Sequence, residues 1–115
     1  LEHTLALLAA IGDRAAVLVG AESHLPEAMP AGARGTICGL ANLVPAAVCD
    51  LVAGGTDGLA AVSGCAAALA GVPVIPTVKA AVGLALGEPG WSACMPPLRA
   101  VAEQRAAGLA ALTSL

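Results

Sequence analysis

The sequence predicts an α/β fold: the closing part of a larger open parallel sheet or (β/α)8 barrel, running on into a helical tail. Three observations predict it. Two short apolar runs, Ala15–Val19 and Gly35–Gly39, are marked by glycine and lack polar alternation, the pattern of parallel strands covered on both faces. A helix-like stretch separates them, as a parallel crossover requires. Beyond Gly54-Gly55 the start and stop signals are those of helices alone.

Taken in order, Leu5, Leu8 and Ile11 stand at helical spacing over residues 2–11, and Gly12-Asp13 supplies the stop and a turn. The run Ala15–Val19 then reads as the first strand, ending at Gly20. Glu22–Ala31 is a short helix, with Pro26 tolerable in its first turn and Pro30 awkward near its end. Gly35–Gly39 is the second strand, its glycines marking sharp turns or close backbone approach. Asn42 near the cap and Pro45 in the first turn open a helix over Val44–Val52, which Gly54-Gly55 stops. Thr56-Asp57 caps a helix to about Ala70, Pro76-Thr77 opens one ending near Gly87, and Pro96-Pro97 opens a last one to about Leu112.

This order divides the chain into residues 1–54, a helix-strand-helix-strand-helix unit, and residues 55–115, a three-helix extension. Two strands cannot enclose a parallel-sheet core of their own, so both expect neighbours. The chain also opens with Leu1 in a helix already under way, which leads us to expect preceding sequence.

The composition narrows the function classes. Hydrophobic residues make up 58% of the 115 and charged residues 11%, against soluble averages of about 45–50% and about 25%. Such a chain expects its surface to be covered. The net charge is −3, and the five basic residues are scattered, which speaks against nucleic acid; with one Trp and no Phe or Tyr, a base-stacking platform is missing too. Residues 58–78 form an uncharged apolar run of about membrane-spanning length, but Gly71, Pro73 and Pro76 interrupt it and no aromatic belt flanks it, so no membrane partner is expected. A small membrane or self-assembling protein, its apolar surface covered by lipid or by copies of itself, is the alternative reading. Cys38, Cys49, Cys65 and Cys94 form no Cys-x-x-Cys pair, so no metal is expected; they read as buried free thiols in a reducing cytoplasm.

Single residues invite less than they first suggest. Lys79, the only lysine, falls on a helix beyond both strands and reads as a helix-surface or inter-subunit residue rather than a nucleophile. His3 and His24 lack a Ser or Cys partner at motif spacing and are expected to face solvent. Glu22 and Glu27, five apart, point to different helix faces and do not make an acid pair. Gly32, Gly35 and Gly39 have neither the spacing nor the following helix of a dinucleotide fingerprint.

Three stretches, Val17–Gly20, Leu25–Ala28 and Gly32–Asn42, together resemble the seventh and eighth strands of the dihydrodipicolinate synthase and N-acetylneuraminate lyase family, the pyruvate-dependent Schiff-base aldolases. The most specific part is Gly-Ala-Arg-Gly-Thr-Ile-Cys-Gly-Leu-Ala-Asn. Pro76–Ala81 resembles the lysine-containing helix of that family's C-terminal extension, and Met95–Leu98 its Arg-x-Pro-Leu stretch, with Met95 where the arginine is expected.

The resemblance implies the C-terminal part of a TIM barrel and a carbon–carbon lyase acting on pyruvate or another 2-keto acid and an aldehyde. It implies no separate cofactor, because a lysine forms a covalent imine with the ketone; that lysine and the proton-relaying tyrosine would lie in the upstream half. No catalytic residue is therefore expected in this chain, which contains no tyrosine, and alone it should be inactive. For substrate binding the resemblance implies that the backbone of Gly20 lies against the pyruvate moiety and that Ile37 packs on the imine. Glu22 and Gly39 would face the distal part of the aldehyde, and Gly39 has no hydroxyl to offer there. It also implies a homo-oligomer, a dimer of dimers.

Overall fold

The computed structural model describes residues 1–115. Helix α1 (Glu2–Ile11) leads through a 3-10 turn to strand β1 (Leu18–Val19), and a second turn at Glu22–His24 runs into the short helix α2 (Leu25–Ala28). Strand β2 (Gly35–Thr36) lies parallel to β1, with Leu18 opposite Gly35 and Val19 opposite Thr36. Then come α3 (Pro45–Val52), α4 (Leu59–Ala68), α5 (Val74–Leu86) and α6 (Glu103–Ala110).

The β1-α2-β2 crossover is the parallel unit the glycine-marked runs predict. Its strands are shorter than expected, two residues each instead of five. A strand is defined by its pairing, and here each strand has one neighbour. The backbone continues the pairing past the strand limits, Arg34 N–H donating to Val17 C=O at 2.9 Å and Ile37 N–H to Val19 C=O at 3.2 Å. The Thr36 hydroxyl adds a bond to the same Val19 carbonyl at 2.6 Å. Gly35 has φ +148°, a conformation that side chains other than glycine rarely adopt.

Within this chain the two strands are covered on one face only, the other being left to the neighbours that the sequence leads one to expect. Side chains alternate across a strand, and Val19 is 4% exposed while its neighbour Leu18 is 48% exposed. Val19 joins the buried cluster of the helices, whereas Leu18 stays half exposed.

The core runs from β1 through the helices. Leu25, Leu43, Val44, Leu51, Val62 and Leu109 are essentially inaccessible, and the extension packs α6 against α5 and α4 against α3. Only 24 of 115 residues are buried although 58% are hydrophobic, so much apolar surface remains outside, with Ile37, Ile75 and Met95 the most exposed large side chains. That excess is what the composition foretold.

Hydrogen bonds tie the later helices to α3 and to the segment just before it. Asp50 of α3 accepts a hydrogen bond from the N–H of Gly58, at the start of α4, at 2.9 Å. At the other end, Ser114 N–H donates to the carbonyl of Leu43, just before α3, at 2.9 Å. The apolar run 58–78 is divided between α4 and α5 by the turn at 69–73, and no helix is long and apolar enough to cross a membrane.

Two further expectations are corrected. The last helix begins at Glu103, not at Pro96-Pro97: Leu98 N–H closes a turn onto Met95 C=O at 3.0 Å, and of the residues between only Val101 is partly buried, too little to dock a helical face. The four thiols are unpaired but not uniformly buried: Cys65 is buried, Cys38 and Cys94 are partly so, and Cys49 is exposed on the outer face of α3.

Candidate functional site

The C-terminal ends of β1 and β2 open into a cleft of about 310 Å³. Gly20 and Glu22 line it from the segment after β1, and Gly39 and Leu40 from the segment after β2. The opposite wall is aliphatic: Ala66 of α4, Leu69 and Ala70 just beyond it, and Val74 at the start of α5. Parallel strands place their chain-reversing segments at this end, which is where α/β folds gather binding groups.

Both glycines leave space. A Cβ on Gly20 would meet nothing within 4 Å, and one on Gly39 would reach only the Val78 side chain, at 3.9 Å. Glu22 is held by its surroundings: its Oε1 accepts the N–H of Leu40 at 3.1 Å. Leu40 opens the 3-10 turn Leu40–Asn42, whose first N–H groups have no partner inside the turn, so a carboxylate completes them. The bond links the two segments after the strands across the floor of the cleft, and the same carboxylate is within hydrogen-bonding reach of the Cys38 thiol.

Beneath Glu22 sits Cys38. Burial pushes its thiol pKa above the ordinary value of 9.0 and the charge of Glu22 pushes in the same direction, while hydrogen bonds with the Thr36 side chain and the Ala41 backbone pull it partly back. At neutral pH the group is a protonated thiol, a space filler rather than a nucleophile.

Of the four residues singled out from the sequence, the structure brings three, Gly20, Glu22 and Gly39, into one cleft. Ile37 is not among them. It lies one residue beyond β2, is 74% exposed, and turns its side chain toward the uncovered outer side. Lys79 lies on α5, away from both strand ends, half-buried in a separate groove. His24 is partly buried, with the Thr4 hydroxyl 3.5 Å from its Nδ1, rather than facing solvent.

The sequence reading missed the aliphatic wall and the Thr36-Cys38 support beneath Glu22. The wall comes from an alanine-rich helix whose apolar residues surround it on nearly all sides, so no periodicity singles out the residues that face the cleft.

No family model and no curated protein matches this chain. Among solved structures, the crystal structure of dihydrodipicolinate synthase from Agrobacterium tumefaciens str. C58 is similar, with a TM-score of 0.83 and 31% sequence identity. The match covers 96% of this chain and 38% of that one. Strand unit and helical extension alike thus share the arrangement of part of that protein's fold, although this chain spans well under half its length.

Proposed function

We propose that this chain is the closing part of a (β/α)8 pyruvate-dependent Schiff-base aldolase of the dihydrodipicolinate synthase type, a carbon–carbon lyase, and that its cleft forms one wall of the substrate pocket. The observation that carries the reading is the similarity over 96% of the chain at 31% identity, with Gly20, Glu22 and Gly39 gathered at the C-terminal ends of the parallel strands. The half-covered strands and the exposed Ile37, Ile75 and Met95 add support, since each is a surface that further strands or subunits would cover.

In this reading a lysine from the remainder of the barrel attacks the ketone carbon of a 2-keto acid, and loss of water leaves an imine. The protonated imine withdraws electrons from the adjacent carbon, which gives up a proton and bonds to an aldehyde carbon, or releases it in the reverse direction. The residues of this chain bind and orient. The open backbone at Gly20 lets the keto-acid end approach closely, and Ile37, covered by the rest of the barrel, packs on the imine. The Glu22 carboxylate and the space over Gly39 face the aldehyde partner. The chain carries no catalytic residue in this scheme and is inactive alone. The whole protein is a homo-oligomer, and its unpaired thiols suit a reducing cytoplasm.

The test is the intact mass of the protein purified from its source after incubation with pyruvate and borohydride, which reduces and traps an imine. An adduct on a species containing this chain, at more than twice 11.0 kDa, is the expected result. Absence of any adduct on a folded, intact protein overturns the proposal.

A further inference from the structure

A second groove lies on the far side of the segment Gly39–Asn42 from the strand-end cleft. It is the larger of the two, about 390 Å³, and is walled by Val82 and Leu86 of α5, by Trp91, and by Leu115. Two polar side chains reach it, Lys79 and Asn42. Lys79 is the only lysine in the chain, as Trp91 is the only aromatic residue.

The electrostatics of this groove are unbalanced. The one ion pair of the molecule joins Arg34 to Asp13, so no side-chain carboxylate comes within 4.0 Å of the Lys79 ammonium. Glu88 shares a smaller adjoining cleft with Lys79 and Trp91 but stays outside that distance. Lys79 is half-buried among Val78, Val82 and Trp91, and an ammonium without a counter-ion beside apolar walls favours the arrival of an anion. The Asn42 amide nitrogen donates to its own Gly39 carbonyl at 3.1 Å, which fixes that side chain at the rim. One positive group and a mainly apolar lining are the features of a small-molecule site.

We propose that this groove binds a small organic carboxylate with an alkyl or aryl body, the carboxylate on Lys79 and the body against Val82, Leu86 and Trp91. The site is separate from the strand-end cleft and does not depend on the reaction proposed above.

Calorimetric titration of the intact protein tests it, with octanoate as the probe and octanamide, which has the same body without the charge, as its control. Octanoate binds saturably and octanamide binds at least roughly tenfold more weakly, the loss expected for a charge-assisted contact. Lys79→Met reduces octanoate affinity to that of octanamide, and Lys79→Arg retains most of it. Val82→Trp, which fills the groove, abolishes binding of both. The proposal is overturned if octanoate gives no saturable heat, if the two probes bind alike, or if Lys79→Met binds octanoate as the unaltered protein does. The comparison of probes on unaltered protein decides the matter even where a variant fails to fold.

Discussion

Replacing Gly58 with alanine should loosen the joint between the strand unit and the helical extension. Gly58 has an ordinary helical φ of −72°, so space and not backbone conformation demands glycine. A Cβ there would lie 2.2 Å from the carbonyl oxygen of Ala47 and 2.8 Å from its carbonyl carbon and Cα. All are backbone atoms of α3 and cannot swing aside, so α3 and α4 must part by roughly 1 Å to restore van der Waals separation. Overpacking of this kind costs about 1–3 kcal/mol. Stretching the Gly58 to Asp50 hydrogen bond, 2.9 Å in the structure, adds about 1 kcal/mol. The lower entropy of alanine in the unfolded chain returns about 0.4–1 kcal/mol, leaving a net loss of about 1–3.5 kcal/mol. Urea denaturation of the intact protein measures it, with Gly64→Ala as the matched control. Gly64 lies inside α4, where a Cβ meets only a Leu112 methyl at 3.9 Å, so that variant should gain about 0.5–1 kcal/mol from helix propensity. Equal or greater stability of Gly58→Ala than of Gly64→Ala would refute the steric argument.

Thr77 is inaccessible and donates its hydroxyl to the Pro73 carbonyl at 2.7 Å; Thr77→Val should cost about 1 kcal/mol and Thr77→Ser retain the bond, as paired thermal melts will show. Cys49 should react with a thiol reagent well before Cys38 and Cys65, being exposed while burial raises the other two; mass mapping after brief alkylation gives the order, and early labelling of Cys65 would contradict it. Those raised thiols keep their protons longer in the fold than in the unfolded chain, so the stability they contribute is fully present below pH 9.0 and is lost as pH rises through the folded values. Unfolding midpoints should therefore fall across that alkaline range, and a rise would contradict the raised values. Glu22→Gln preserves an acceptor for Leu40 N–H, whereas Glu22→Ala removes it and should cost about 1 kcal/mol. A change in aldehyde preference in Glu22→Gln at unchanged stability would separate substrate contact from support of the floor.

How much of this was legible in the sequence depended on whether the deciding forces were local. Helix α3 was read to within a residue because Pro45 and Gly54-Gly55 act on the backbone where they stand. The Pro96-Pro97 signal failed for the complementary reason: prolines permit a helix to start, but a helix persists only where its next turns find an apolar partner, and here that begins at Glu103. The two strands were legible as elements but not in their burial, which is a property of neighbours. The site divided along the same line. Gly20, Glu22 and Gly39 were named through resemblance, and their convergence on one cleft follows from two strand ends lying side by side. Ile37 was named in the same way, but its exposure, like the aliphatic wall, depends on long-range packing that no local pattern encodes.

The bond from Ser114 back to Leu43 makes the extension a closed circuit: the chain leaves the strand unit beside α3, traverses three helices and returns to its point of departure. A segment tethered at both ends has already surrendered most of the freedom that a dangling tail would lose on docking. The wall that α4 and α5 present to the strand ends therefore belongs to a stretch anchored beside α3 at both its beginning and its end.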